Sequence, residues 1–192
     1  MRTPVAFVDA GVLSSKTLRL WLLMLRAHTN GGLFVLHSAE DVFTSGKLPP
    51  SVHDLIRAAL DDVIEIDPEA PDLLCAGEYL NRIHAAAIAC NAVYVIADDN
   101  VYNGVETDSL PYEVHTPDSF FMLVAANAAG AVDAVIDTHL SRAEGSKKPH
   151  LELEDAGCPD FATCVLKHMQ RTFAGKSTQG IADELLLEAA PS

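Results

Sequence analysis

Asp9 closes a short apolar run, Val5-Ala6-Phe7-Val8, and the pair Asp98-Asp99 closes a second one, Ala92 to Ala97. Carboxylates at the ends of buried strands suit one kind of chemistry. Hard divalent cations take oxygen ligands, and in open α/β sheets ligands gather beyond the carboxyl ends of the strands. A cation held there activates water and neutralises charge at a phosphate. The bland readings are equally concrete. Asp9 is followed by Ala10-Gly11-Val12-Leu13, so it can cap a helix. Asp98 can be a solvated turn acid.

The elements that must position these acids alternate between strand and helix patterns, which predicts a mostly parallel α/β sheet. Val5–Val8 reads as the first strand. Lys16–His28 reads as a helix with Leu18, Trp21, Leu22 and Leu25 on one face, and Trp21 there reads as core. Asn30-Gly31-Gly32 ends it. Leu33–His37 is predicted as the second strand, with Ser38 as a helix N-cap and Glu40 and Asp41 in the first turn, where the helix dipole favours acids. Ser51 to Leu60 reads as a helix, Val63–Ile66 as the third strand, and Gly77–Cys90 as an alanine-rich helix suited to close packing. Val93–Ala97 and Tyr112–His115 are predicted as strands four and five. Thr116-Pro117-Asp118 is a strong helix start. Further helices are expected near 131–142 and 158–173, with 145–149 a loose loop. A short amphipathic piece, Ile181–Leu187, lies in the tail.

One domain is expected for 192 residues, and 49% hydrophobic content can fill its core without staples. No apolar run reaches about 18 residues, so no membrane span is expected. No signal peptide is visible, and a cytoplasmic protein is the default. The four cysteines form no C-x-x-C pair and read as free thiols. The net charge of −14, from 27 acids and 13 bases, opposes nucleic-acid binding, whose affinity comes from Lys and Arg at phosphates. It favours a basic protein partner or none.

Several stretches together resemble the PIN domain, most closely the VapC-like toxins with extra C-terminal helices. These are Val5-Ala6-Phe7-Val8-Asp9-Ala10-Gly11-Val12-Leu13, Gly32-Leu33-Phe34, Ser38-Ala39-Glu40, Ile83-His84-Ala85-Ala86-Ala87-Ile88, Val93-Tyr94-Val95-Ile96-Ala97 and Tyr112-Glu113-Val114-His115-Thr116-Pro117-Asp118-Ser119-Phe120. The resemblance covers residues 4–125 and, more weakly, the helices to about 168. It implies a three-layer α/β/α fold with a five-stranded parallel sheet (1–125), a C-terminal helical extension (126–173) and a weakly ordered tail (174–192). It also implies a Mg²⁺- or Mn²⁺-dependent ribonuclease, frequent homodimers, and neutralisation by an antitoxin.

The family's acid ring carries over in part. Asp9 matches the first acid, although Gly11 replaces the usual Asn. Thr44 stands at the second acidic position, and Glu40, one turn earlier, could reach over as a substitute. Leu80 stands at the third, with Asn81 beside it, Glu78 two residues away and His84 one turn on. Asp99 matches the fourth, while Ala97 replaces a hydroxyl and Tyr102 a further acid. Asp9 and Asp99 are thus the predicted metal ligands, with Glu40 a possible third catalytic acid. Asp98, Thr44, Glu78, Asn81 and His84 are further cleft candidates. Glu40 can instead serve the helix dipole, and His84 can be a satisfied core histidine. Two carboxylates bind Mg²⁺ weakly and do not make a two-ion site. The expectation is a degenerate PIN-like protein acting as a non-catalytic binding module. The alternatives are a residual Mg²⁺/Mn²⁺-dependent endoribonuclease of a toxin–antitoxin pair and a dimerising scaffold.

Overall fold

Side chains alternate along a strand, and Val5–Val8 (β1) buries Ala6 and Val8 on one side and Phe7 on the other. A strand covered on both faces belongs at the centre of a parallel sheet. The computed structural model describes residues 2–29, 32–44, 46, 48, 50–66, 77–142 and 148–172. The other strands are Val35–Ala39 (β2), Asp62–Ile64 (β3), Tyr94–Ile96 (β4) and Glu113–His115 (β5). They form one five-stranded, all-parallel sheet in the order β3-β2-β1-β4-β5.

Helices cover both faces. They are Ala10–Ser14 (α1), Lys16–His28 (α2), Asp41–Thr44 (α3), His53–Ala59 (α4), Glu78–Ala89 (α5), Pro117–Asn127 (α6), Ala129–Arg142 (α7), Pro149–Asp155 (α8) and 159–172 (α9). On one face Ala6, Val8, Leu36 and Ile96 meet Leu22, Phe120, Ile136 and Phe161 in a core that runs on to Met169. Trp21 is fully buried there, stacked on His139 at 4.8 Å and edge-on to Phe161 at 5.2 Å. On the other face Phe7, Val95 and Ala97 meet Leu80, Ile83, Ala86 and Ala87 of α5. The small alanines let this helix lie close to the sheet. The result is a three-layer α/β/α arrangement: the alternating pattern predicts its parallel sheet, and the resemblance implies its three layers.

Local chemistry sets the helix starts. Ser15 caps α2 through the Leu18 N–H, and Thr116 caps α6 through the Ser119 N–H at 3.1 Å, with Pro117 in the first turn. The chain bends by 114° between α6 and α7. No single helix among the described residues is long and apolar enough to cross a membrane.

Three local expectations are corrected. Ser38 is not a helix cap: it lies inside β2, fully buried, and donates its hydroxyl to the Val8 carbonyl at 2.6 Å. Pairing of Val8 with Ser38 carries β2 two residues past His37, because neighbouring strands extend each other. Leu33 and Phe34 precede the strand; Phe34 packs edge-on against Phe120 at 5.2 Å. Pro149–Asp155 forms a helix where no element was predicted, seated by buried Leu153. The tail with Ile181–Leu187 and the loop 68–72 lie outside the described residues.

Candidate functional site

The strand order places a crevice. From β1 the chain builds outward first to β2 and β3, then returns to β4 and β5 on the opposite side. Such reversals leave an opening between the carboxyl ends of the two inner strands. Asp9 follows β1 and Asp98 follows β4, so both acids reach this opening. The Asp9 N–H still pairs with the Ile96 carbonyl at 3.0 Å, which ties the two strand ends together.

Asp9 is only 3% exposed. Its Oδ2 accepts the Gly11 N–H at 3.0 Å and thereby caps α1. Its Oδ1 accepts the Tyr79 hydroxyl at 2.5 Å. Capping and cleft lining are therefore one role, because the same carboxylate serves both. Asp98 approaches from β4. A Cβ built on Gly11 would lie 2.9 Å from Asp9 Oδ2 and 3.1 Å from Asp98 Oδ2.

The first turn of α5 forms the opposite wall. Gly77 precedes the helix at φ +97°, a conformation that costs a side-chain-bearing residue free energy. That turn brings Glu78 and Tyr79 to a cavity of about 530 Å³, which Asp9, Gly11, Leu80, Asp98, Asn100 and Val101 also line. Three acids and no Lys or Arg line it among the described residues. Asp41, at the start of α3, is near enough for its field to act on Tyr79, and it pairs with Arg82 of α5 at 3.5 Å. Burial, the bond to Asp9 and the fields of Asp9, Asp41 and Asp98 all raise the Tyr79 pKa. The phenol stays neutral and remains a donor.

The other candidates go elsewhere. Asp99 is exposed and does not line the cleft. Strand alternation stops at a turn closed by the Val101 N–H on the Asp98 carbonyl, so the phase that would have aimed Asp99 inward is lost. Glu40 is half-buried and held by Arg57 at 2.8 and 3.0 Å. Thr44 is exposed, its hydroxyl 3.4 Å from the Asp41 carbonyl. Asn81 is half-buried in α5, its N–H on the Gly77 carbonyl. His84 is 5% exposed and lies behind the cleft wall, bonded to the Tyr112 hydroxyl at 2.7 Å; Tyr112 is 3.3 Å from the Tyr102 hydroxyl.

Sequence reading missed Tyr79 and Asp41. The signal for Tyr79 was its place next to Glu78 at a helix start. For Asp41 it was the true end of β2 at Ala39.

Asp9 and Asp98 are the carboxylates that could hold one hard cation, which usually takes water and substrate phosphates as its other ligands. Among the described residues no three His, Cys, Asp or Glu side chains lie close enough to share an ion. A two-ion centre, which needs ligands around both ions, does not fit them. No family model, no curated protein and no solved structure matches this chain.

Proposed function

We propose that this chain is a degenerate PIN-like protein whose acidic cleft is a non-catalytic binding site for a cationic group. One observation carries the reading: Asp9, which is buried, and Asp98 converge beside Gly11 in a cleft that, among the described residues, is lined by acids and by no Lys or Arg, while the Asp9 oxygens accept the Gly11 N–H and the Tyr79 hydroxyl. Such a cleft attracts positive charge, either a divalent ion or the basic side chain of a partner. Its ligands are too few to clamp both oxygens of a phosphodiester displacement. The overall charge of −14 points the same way, toward a basic protein partner such as an antitoxin-like chain.

A residual Mg²⁺- or Mn²⁺-dependent endoribonuclease is the second reading. Glu78, on the wall opposite Asp9 and Asp98 in the same cavity, favours it. RNA incubated with excess protein and millimolar Mn²⁺ separates the two. Intact RNA, with a cation heat signal lost in Asp9→Asn, supports the binding module. Cleavage that Asp9→Asn abolishes supports the nuclease and removes the first reading.

A further inference from the structure

We propose that an apolar pocket at the amino ends of the strands is the docking site of the chain's own C-terminal segment, Ile181–Leu187. The pocket lies at the opposite end of the sheet from Asp9 and Asp98: Pro4 precedes β1, Leu33 and Phe34 precede β2, and Tyr94 begins β4. The second half of α6 forms its other wall through Leu123 and Val124. No charged side chain lines it among the described residues, and the Asn127 amide there already donates to the Leu123 carbonyl at 2.8 Å. Leu33, Tyr94 and Leu123 are only half-buried, so apolar surface stays in contact with water. The volume is about 270 Å³. A dry apolar cavity of about 150 Å³ accepts benzene, so this space has room for two aliphatic side chains.

The occupant is singled out by where the chain leaves the described residues. Asp118, in the first turn of α6, accepts the Asp160 and Phe161 N–H groups at 3.2 and 2.8 Å, so α9 starts beside the start of α6. Further along α9, His168 Nδ1 lies 2.7 Å from Asp133 in the second turn of α7, and α7 begins two residues after Asn127. α9 therefore runs along α6 toward the pocket end, and Thr172, one turn past His168, is its last described residue. The nine residues from Thr172 to Ile181 span up to about 30 Å when extended, whereas the 11 residues of α6 measure about 16 Å. The tether is long enough. Ile181-Ala182-Asp183-Glu184-Leu185-Leu186-Leu187 carries four large aliphatic side chains in seven residues, which is the chemistry the pocket accepts. Arg2, exposed two residues before Pro4, supplies an opposite charge for Asp183 and Glu184 on that side. A tethered segment is present at an effective concentration in the millimolar range, so the pocket meets this occupant ahead of a free ligand.

The test is methyl NMR on the full chain, with Ile, Leu and Val methyl groups labelled. In wild type, nuclear Overhauser effects are expected from the Leu185, Leu186 or Leu187 methyls to the Phe34 and Tyr94 rings. In Leu185→Ser/Leu186→Ser these contacts should be lost and the Leu33, Leu123 and Val124 methyl resonances should shift. Those of Val8 and Leu36 in the core should stay in place, which also shows that the variant is folded. The first measurement needs only wild-type protein, so it decides the proposal whatever the variant does. Absence of the tail-to-pocket contacts in wild type overturns it; a shift of the same pocket methyls on adding toluene would then assign the pocket to a free apolar ligand. Contacts seen only between labelled and unlabelled chains of a mixed sample would seat a second copy's tail there and overturn the assignment within one chain. The pocket is separate from the acidic cleft, so either failure leaves the cation-binding reading as it stands.

Discussion

Asp9 and Asp98, 89 positions apart in the chain, press on the same bare Cα, that of Gly11. A methyl group there would come within 2.9 Å of one carboxylate and 3.1 Å of the other. The Asp9 side chain is buried and cannot retreat, so Asp98, which is exposed, must swing out. Gly11→Ala should therefore weaken cation binding several-fold in calorimetry. The melting temperature should fall, because the 2.9 Å contact with buried Asp9 strains the carboxylate that caps α1, and this outweighs the about 0.5–1 kcal/mol of helix propensity that Ala gains. Unchanged affinity would show that the ligand does not bridge the two acids.

Asp61 joins three elements. Its Oδ2 accepts the Leu36 N–H of β2 at 2.7 Å and the Arg26 Nε of α2 at 2.9 Å, and its Oδ1 pairs with the second guanidinium arm. The Arg26 hydrogen bond, aided by Leu36, holds the Asp61 carboxyl below its ordinary range. Asp61→Asn should cost about 1 kcal/mol, between the values for exposed ion pairs and for buried charged bonds, since the pair is partly solvated. A depressed folded pKa contributes stability above the unfolded value near about 4 and loses it as pH falls through the folded value. Urea melts should show a constant gap between wild type and variant at neutral pH that closes only in strong acid. A gap that widens on acidification would contradict this.

Glu40 is a surface partner rather than a cleft ligand. It faces Arg57, whose guanidinium also lies 4.1 Å from the Phe43 ring centroid. Glu40→Gln should leave cation binding and any RNA cleavage unchanged, with at most a small stability loss that high salt erases. A fall in cleft affinity would place Glu40 back in the site.

His84 sits on α5 against Tyr112, and burial lowers its pKa. The folded state disfavours the charged ring, so the unfolded chain binds the extra proton first. His84 thus leaves stability intact above its unfolded pKa of about 6.5 and subtracts from it as pH falls toward the lower folded value. His84→Gln should flatten that part of the urea midpoint profile between neutral and mildly acidic pH. A midpoint that rises on acidification in wild type but not in the variant would reverse the assignment.

The periodic parts of the chain were legible because their patterns are local. Val5–Val8 alternates between two buried faces, Thr116-Pro117 starts α6, and Leu18, Trp21, Leu22 and Leu25 face the core, as their spacing requires. The strand and helix order was enough to predict a mostly parallel sheet with Asp9 at the end of its first strand. What faces the crevice was not local. Ser38 reads as a cap from its neighbours but became a buried strand residue once paired with Val8. Asp98 and Asp99 are indistinguishable by type, and only the turn after β4 selects the first. Tyr79 meets Asp9 because α5 packs its apolar face on Phe7 and Val95 and swings its first turn over the end of β1. Residue types and their periods determined which elements form and which face of each is apolar. Strand register and the docking of α5 decided which polar side chains converge, because those positions depend on partners far along the chain.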